Sequence, residues 1–207
     1  STQLLMVEET GIAAHFSQLS CKSSIELMRW AKDKGLPVTC DVAMHQLYLT
    51  DDNLEGFNAQ AYVLPPLRSN TDQQAIRRGL KDGTIDAICS HHEPLNSTAK
   101  KAPFAESTPG ISNFDTFMAL ACQLVKDEVL TLEQLVDKIC LNPAKIAGIT
   151  CSCTGIGLVI PTFFSMSTVL AHTLRPAKPF VITIPLFYRN VVYAKERPKP
   201  GALLKKI

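Results

Sequence analysis

Three places in this 207-residue sequence put imidazoles where a predicted strand ends. His15 lies in Ala13-Ala-His-Phe-Ser-Gln-Leu-Ser20, His45 follows Asp41-Val-Ala-Met44, and His91 and His92 sit in Ser90-His-His-Glu-Pro94. In a parallel barrel the strand ends open onto one mouth, so imidazoles carried there can converge on a single metal ion. Neighbours on an extended chain point to opposite sides, so only one of His91 and His92 faces that mouth. A lone strand-end histidine is more often a hydrogen-bonded structural residue than a ligand; His91-His92 is the more suggestive of the three, and the spacing itself is weak evidence. Other chemistries lack their motifs: there is no nucleophile elbow, phosphate-binding loop or GxGxxG fingerprint. Gly155-Ile-Gly157 lacks a third glycine, and Cys151-Ser-Cys153 does not have the spacing of a zinc knuckle.

The elements that must carry these residues alternate. A helix is predicted over Thr2 to Thr10 with Gly11 as its stop, then a strand from Ala13 to Leu19. Ser20 or Ser23 is placed to cap a helix whose apolar face is Ile25, Leu27, Met28 and Ala31, and which ends at Gly35. A strand begins over Leu36 to Cys40. Thr71-Asp-Gln-Gln74 has the form of a capping box and opens a helix to about Lys81. Ile85 to Cys89 reads as a buried strand. Phe114, Phe117, Met118, Ala121, Leu124 and Val125 recur at helical spacing. Thr131-Leu-Glu-Gln134 is a second capping box, opening a helix to Cys140, and Asn142-Pro143 is placed to cap another that Gly148 ends. Repeated βα units of this kind build a parallel sheet with its function at the strand C-terminal ends. Periodicity alone suits a doubly wound sheet and a piece of a (β/α)₈ barrel equally.

Composition narrows the class. The chain is 46% apolar and 19% charged with a formal net charge of +2, as in a soluble globular protein. No run approaches the roughly 20 uncharged residues of a bilayer span, and no secretory signal is present, so a cytoplasmic location is expected, with no membrane partner. Seven unpaired-looking cysteines read as reduced thiols. Near-neutrality also argues against a nucleic-acid partner. It hides a division, however. Residues 1–150 hold 13 Lys and Arg against 18 Asp and Glu, a net of −5, whereas residues 151–207 hold 8 against the single acid Glu196, a net of +7.

Several strings in the acidic part, in their order and rough spacing, carry a resemblance. They are Gly35-Leu-Pro-Val-Thr-Cys-Asp-Val-Ala43, Pro65-Pro-Leu-Arg68, Asp82-Gly-Thr-Ile-Asp-Ala-Ile88, Ser90-His-His-Glu-Pro94, Ala99-Lys-Lys-Ala-Pro-Phe104, Pro109-Gly-Ile-Ser-Asn-Phe-Asp115 and Asn142-Pro-Ala144. Together they resemble dihydroorotases of the amidohydrolase superfamily over about residues 1–149. The resemblance implies an α/β fold, the C-terminal half of a (β/α)₈ TIM barrel. In active members that barrel holds zinc and reversibly closes carbamoyl-aspartate to dihydroorotate.

Carried over residue by residue, the resemblance also implies loss of activity. His15 matches a metal-binding histidine. His91 stands where the family has an aspartate that is both metal ligand and proton shuttle, so His15 and His91 are the metal ligands if a metal is bound. Leu95 replaces a substrate-holding histidine and Leu64 a substrate-holding asparagine. A hydrolytic metal site needs an anionic base beside the bound water, and leucines offer nothing to a polar, anionic substrate. Ser90-His-His-Glu-Pro94, with Phe16-Ser-Gln-Leu-Ser20 upstream, is similar to degenerate homologues that serve as noncatalytic subunits with aspartate carbamoyltransferase. The expectation is therefore a structural partner of a carbamoyltransferase chain, or a self-associating protein, with no cofactor. The alternative is an active zinc-dependent cyclic-amide hydrolase of dihydroorotase, allantoinase or hydantoinase type. A complete barrel takes about 250 residues, so this sequence is expected to be part of a longer product or to pair with another chain. Residues 150–207 form a basic tail, either a diverged small β-domain or an unrelated, frameshifted segment.

Overall fold

The computed structural model describes residues 2–96 and 98–148, together with the strands Val181–Thr183 and Tyr193–Ala194. Helix α1 (Thr2–Thr10) buries Leu4 and Val7 and stops at Gly11, whose φ of +65° leaves the helical region. Strand β1 (Ala14–Phe16) follows and is buried on both faces, as a strand covered on each side must be. It is shorter than the predicted Ala13 to Leu19, because the chain turns at Gln18 (φ +57°) to deliver its N–H to Asp41 at 2.6 Å.

Helix α2 (Lys22–Asp33) buries Ile25, Met28 and Ala31. Neither Ser20 nor Ser23 caps it. Cys21 occupies the cap without a side-chain bond to the helix backbone, and the Lys22 N–H is satisfied by Asp72 at 2.8 Å from the next helix of the fold. That helix, α3 (Asn70–Lys81), is capped by Ser69, whose hydroxyl accepts from the Asp72 N–H and donates to the Asp72 carboxylate at 2.7 Å. Thr71 lies inside the helix, so the predicted capping box there does not form. Asp72 is thus shared between two helix starts. Burial raises its pKa, but the Lys22 N–H and the Ser69 hydroxyl outweigh it and hold the carboxyl below its ordinary value. The two helices meet at Gly79, where an added Cβ would stand 3.0 Å from Ile25 Cγ2.

Strand β2 (Val38–Ala43) runs parallel to β1, with Ala14, His15 and Phe16 beside Val38, Thr39 and Cys40. Strand β3 (Ala87–Cys89) runs parallel to β2, with Asp41, Val42 and Ala43 beside Ala87, Ile88 and Cys89. Two strands of the tail extend the sheet: β4 (Val181–Thr183) is parallel to β1 and β5 (Tyr193–Ala194) antiparallel to β4, giving the order β3-β2-β1-β4-β5. The rest of the tail, with Gly155, Gly157, Cys151 and Cys153, lies outside the described residues.

Helix α4 (Phe114–Lys126) buries Phe117, Ala121 and Leu124 in the common core, but Phe114 and Met118 of the predicted apolar face are 48% and 45% exposed. Helix α5 (Leu132–Val136) opens with the predicted Thr131 and Gln134 capping box. It then runs without a break through a π-helical turn, Asp137–Leu141, into α6 (Asn142–Ile146). Asn142 is therefore helical rather than a cap, and its amide donates to the Asp86 carbonyl at 2.9 Å. The wider turn lets the buried Lys138 reach the Ile85 carbonyl at 2.5 Å, so two side chains of this helix tie it to the foot of β3. One core joins the layers: Val42, Ile88, Ile76, Leu80, Phe117 and Leu124 are all fully buried. Each such aliphatic side chain contributes about 1.5–3 kcal/mol relative to exposure. The strand C-terminal ends are held by this core at one level.

Candidate functional site

His15 is on β1 and is buried. Its Nε2 meets Asp41 Oδ2 at 2.9 Å and its Nδ1 meets the Thr39 hydroxyl at 2.8 Å. Both partners come from β2, and the parallel register that sets His15 beside Thr39 makes the contacts. Asp41 is buried too. It also accepts from the Ser17 hydroxyl at 2.9 Å and the Gln18 N–H at 2.6 Å. Burial pushes its carboxyl up, yet the hydrogen bond and charge of His15, with the Gln18 and Ser17 donors, hold it below the usual carboxylate range. Asp41 is therefore an anion whose oxygens are already taken. The nearby Cys89 thiol is pushed up by burial and by that anion, so it stays protonated rather than serving as a thiolate.

His45 is in the 3₁₀ turn Met44–Leu47 that directly follows β2. It is buried, and burial, with the neighbouring charge of His91, lowers its pKa to about 3. Its Nδ1 is 3.0 Å from the Asn113 amide nitrogen, which also donates to the carbonyls of Ser90 at 2.8 Å and His91 at 3.4 Å. His91, two residues beyond β3, has a left-handed backbone (φ +45°) that side chains with a Cβ rarely adopt. Its ring is buried 5.4 Å from the ring of His45, centroid to centroid. Its Nε2 faces Glu93 Oε1 at 3.3 Å, and this hydrogen bond is the main cause of the lowered Glu93 pKa. Among the described residues, His45 Nε2 and His91 Nδ1 have no hydrogen-bond partner.

His92 turns away from His91, although the left-handed backbone at His91 rather than the alternation of an extended strand separates them. Its Nδ1 accepts from the N–H groups of Asn113 at 3.1 Å and Phe114 at 3.0 Å and so caps α4. Leu64 is half-buried, in the segment leading to Pro65-Pro66. Leu95 is 38% exposed and packs at Gly110, where a Cβ would meet Leu95 Cδ1 at 3.2 Å and the Glu93 carbonyl at 2.9 Å. The strand ends thus bring His45 and His91 together and engage His15 separately with Asp41. A cavity of about 270 Å³ lies at the other end of β1 and β2, lined by Ala13, His15, Pro37, Thr39 and Lys145 among others, and does not include His45 or His91.

The zinc that the family resemblance implies does not fit these donors. A catalytic zinc takes three protein ligands and leaves one position open. Among the described residues no three His, Cys, Asp or Glu side chains come together as a cation site. His15 has both ring nitrogens engaged, Asp41 has both carboxylate oxygens engaged, and Glu93 is half-exposed and tied through Oε1 to His91. The arrangement can hold strand ends in register and offer two buried imidazole nitrogens. Sequence reasoning did not single out Asp41, Asn113 or Glu93. Asp41 had a signal, a charge inside an apolar strand that burial would force to find a partner. Asn113 and Glu93 act through a loop closure that no periodicity records.

No family model matches the chain. It is 48% identical over 142 residues to a dihydroorotase-like protein of Pseudomonas aeruginosa, covering 69% of this chain and 34% of that one. It is 43% identical over 146 residues to a dihydroorotase of Syntrophus aciditrophicus, covering 70% and 34%. The chain therefore spans about a third of the length of these curated relatives. Among solved structures, the dihydropyrimidinase of Brevibacillus agri shares the fold with a TM-score of 0.67 at 22% identity, over 72% of this chain and 34% of that one. The inactive dihydroorotase-like domain of the Chaetomium thermophilum CAD-like multifunctional protein gives a TM-score of 0.56 at 25% identity, over 70% and 40%.

Proposed function

We propose, for a chain that belongs over its matched residues to the dihydroorotase family of the amidohydrolase superfamily, a catalytically degenerate role in pyrimidine biosynthesis. In this reading it is a C-terminal half barrel that acts as a structural partner of an aspartate carbamoyltransferase chain, or associates with itself. It uses no metal or other cofactor, works in the cytoplasm and engages neither nucleic acid nor membrane. No described helix is long and apolar enough to cross a membrane.

The observation that carries the reading is His91. Hydrolysis of a cyclic amide at a metal-bound water needs a free carboxylate at this strand end to take the proton and pass it to the leaving nitrogen. Here an imidazole stands there, tied through Nε2 to Glu93. Leu64 and Leu95 add no hydrogen bonds for a substrate. The inactive neighbour from Chaetomium thermophilum gives the reading a precedent in the same fold. The experiment is a paired one on the full-length protein: dihydroorotate hydrolysis with zinc supplied, and co-sedimentation with an aspartate carbamoyltransferase chain. The expected result is no turnover and a stoichiometric complex; turnover with stoichiometric zinc overturns the reading.

A second reading, an active metal-dependent cyclic-amide hydrolase with His15 and His91 as ligands, is favoured by the buried unpartnered nitrogen of His91. Turnover of any member of a panel of cyclic amides and ureides with zinc or manganese would establish it, and no turnover across the panel would remove it.

A further inference from the structure

We infer that Asn113 holds His45 in the tautomer with its proton on Nε2, and that this makes a nitrogen a metal would need into a hydrogen-bond donor, weakening divalent-metal binding at the strand ends. The orientation of the Asn113 amide is decided by its neighbours. One side of the amide faces the carbonyl oxygens of Ser90 at 2.8 Å and His91 at 3.4 Å, which carry no protons, so that side is the NH₂ group. The same nitrogen is 3.0 Å from His45 Nδ1. Nδ1 must therefore present a lone pair, and a ring with a lone pair on Nδ1 carries its single proton on Nε2.

His45 Nε2 is buried and has no partner among the described residues. Ligation through it would require a lone pair there, which moves the proton to Nδ1 and sets two donors 3.0 Å apart at Asn113. His91 has the opposite arrangement. Glu93 can only accept, so His91 Nε2 carries the proton in that contact and the neutral ring keeps its lone pair on Nδ1. The two rings, 5.4 Å apart, thus offer one donor and one acceptor where a cation needs lone pairs from both. A metal-binding imidazole donates its far N–H to an acceptor, a pattern His91 shows toward Glu93 and His45 reverses toward Asn113. Asn113 is a positioning residue in this scheme, acting through His45. The tautomer of His45 is independent of any assembly partner.

The test uses the full-length protein. Long-range ¹H–¹⁵N correlation at neutral pH, without added metal, reports which nitrogen of His45 is protonated, and competition with a chromophoric chelator reports zinc affinity. Wild type is expected to show His45 protonated on Nε2. Asn113→Asp supplies an acceptor in place of the donor, so His45 is expected to move its proton to Nδ1 and zinc affinity to rise roughly 10- to 100-fold, the range for changes of an outer-shell partner. Asn113→Ala removes the preference and gives a smaller rise. His45 protonated on Nδ1 in wild type overturns the inference, as does zinc affinity unchanged in Asn113→Ala with cooperative unfolding retained. If Asn113→Asp does not fold, the wild-type spectrum and Asn113→Ala decide the matter.

Discussion

Replacing Asp41 with Asn is expected to destabilise the protein by about 3–5 kcal/mol, the cost of breaking a buried charge pair from one side. The magnitude follows from the four contacts on the carboxylate. Oδ2 takes His15 Nε2 and the Ser17 hydroxyl, each at 2.9 Å, while Oδ1 takes the Gln18 N–H at 2.6 Å and the Cys89 thiol at 3.5 Å. An Asn side chain can keep its oxygen toward Gln18, but its NH₂ then faces His15 and Ser17. Two charge-assisted bonds are lost, each contributing about 1.5–3 kcal/mol. Urea unfolding followed by the fluorescence of Trp30, the single tryptophan, and by circular dichroism measures the change. The folded-state pKa of Asp41 lies below its unfolded value of about 3.9. Its contribution is therefore complete above about pH 4 and is lost as pH falls through the folded value. Asp41→Asn should remove that acid-side loss. Destabilisation below about 1 kcal/mol, or an unchanged acid-side slope, would refute the account of Asp41 as the anion that holds β1 to β2.

Other outcomes follow from the same geometry. His45 is held neutral with its pKa at about 3, below the unfolded value of about 6.5, so the unfolded chain binds the extra proton. Stability should fall by up to about 1.4 kcal/mol per pH unit between those values as pH is lowered, and His45→Gln should flatten the profile. Gly79→Ala places a Cβ 3.0 Å from Ile25 Cγ2 and 3.2 Å from Ile85 Cδ1. Despite the better helix propensity of alanine, it should cost about 1–3 kcal/mol by overpacking the α2 and α3 contact, read by the urea midpoint. Thr131→Ala removes one half of the α5 capping box and should cost about 1 kcal/mol, with amide exchange in the first turn of α5 rising in step.

What the sequence makes legible here is what local physics controls. Apolar spacing located α1, α4 and the helical run from Leu132, and the Thr131 box formed because both partners lie within one turn. The failures have both local and distant causes. Thr71 lost its cap to Ser69, which exchanges hydrogen bonds with Asp72 three residues on, while Asp72 also serves the start of α2, 50 positions away. Asn142 joined a continuous helix because the foot of β3 supplied an acceptor for its amide. The site divides in the same way. Strand-end histidines are visible because strand ends are visible, whereas their partners Asp41, Asn113 and Glu93 depend on which strand lies beside which and on how the loop after β3 closes.

A metal-binding histidine kept in a sequence is usually taken to mean that the metal is kept as well, and His15 shows why that step fails. His15 and Asp41 form a buried pair, and removing either partner would strand the other in a low-dielectric core at a cost comparable to a large part of a domain's net stability. Such a pair resists substitution whether or not any chemistry depends on it. Its presence therefore carries little information about catalysis. The informative positions are the loop residues His91 and Glu93 and the helix-start residue Asn113. There the protons on the imidazoles have been arranged by local hydrogen bonds: His45 is set to donate from Nε2 while His91, donating to Glu93, keeps a lone pair on Nδ1, so the two rings do not both offer lone pairs to one metal ion.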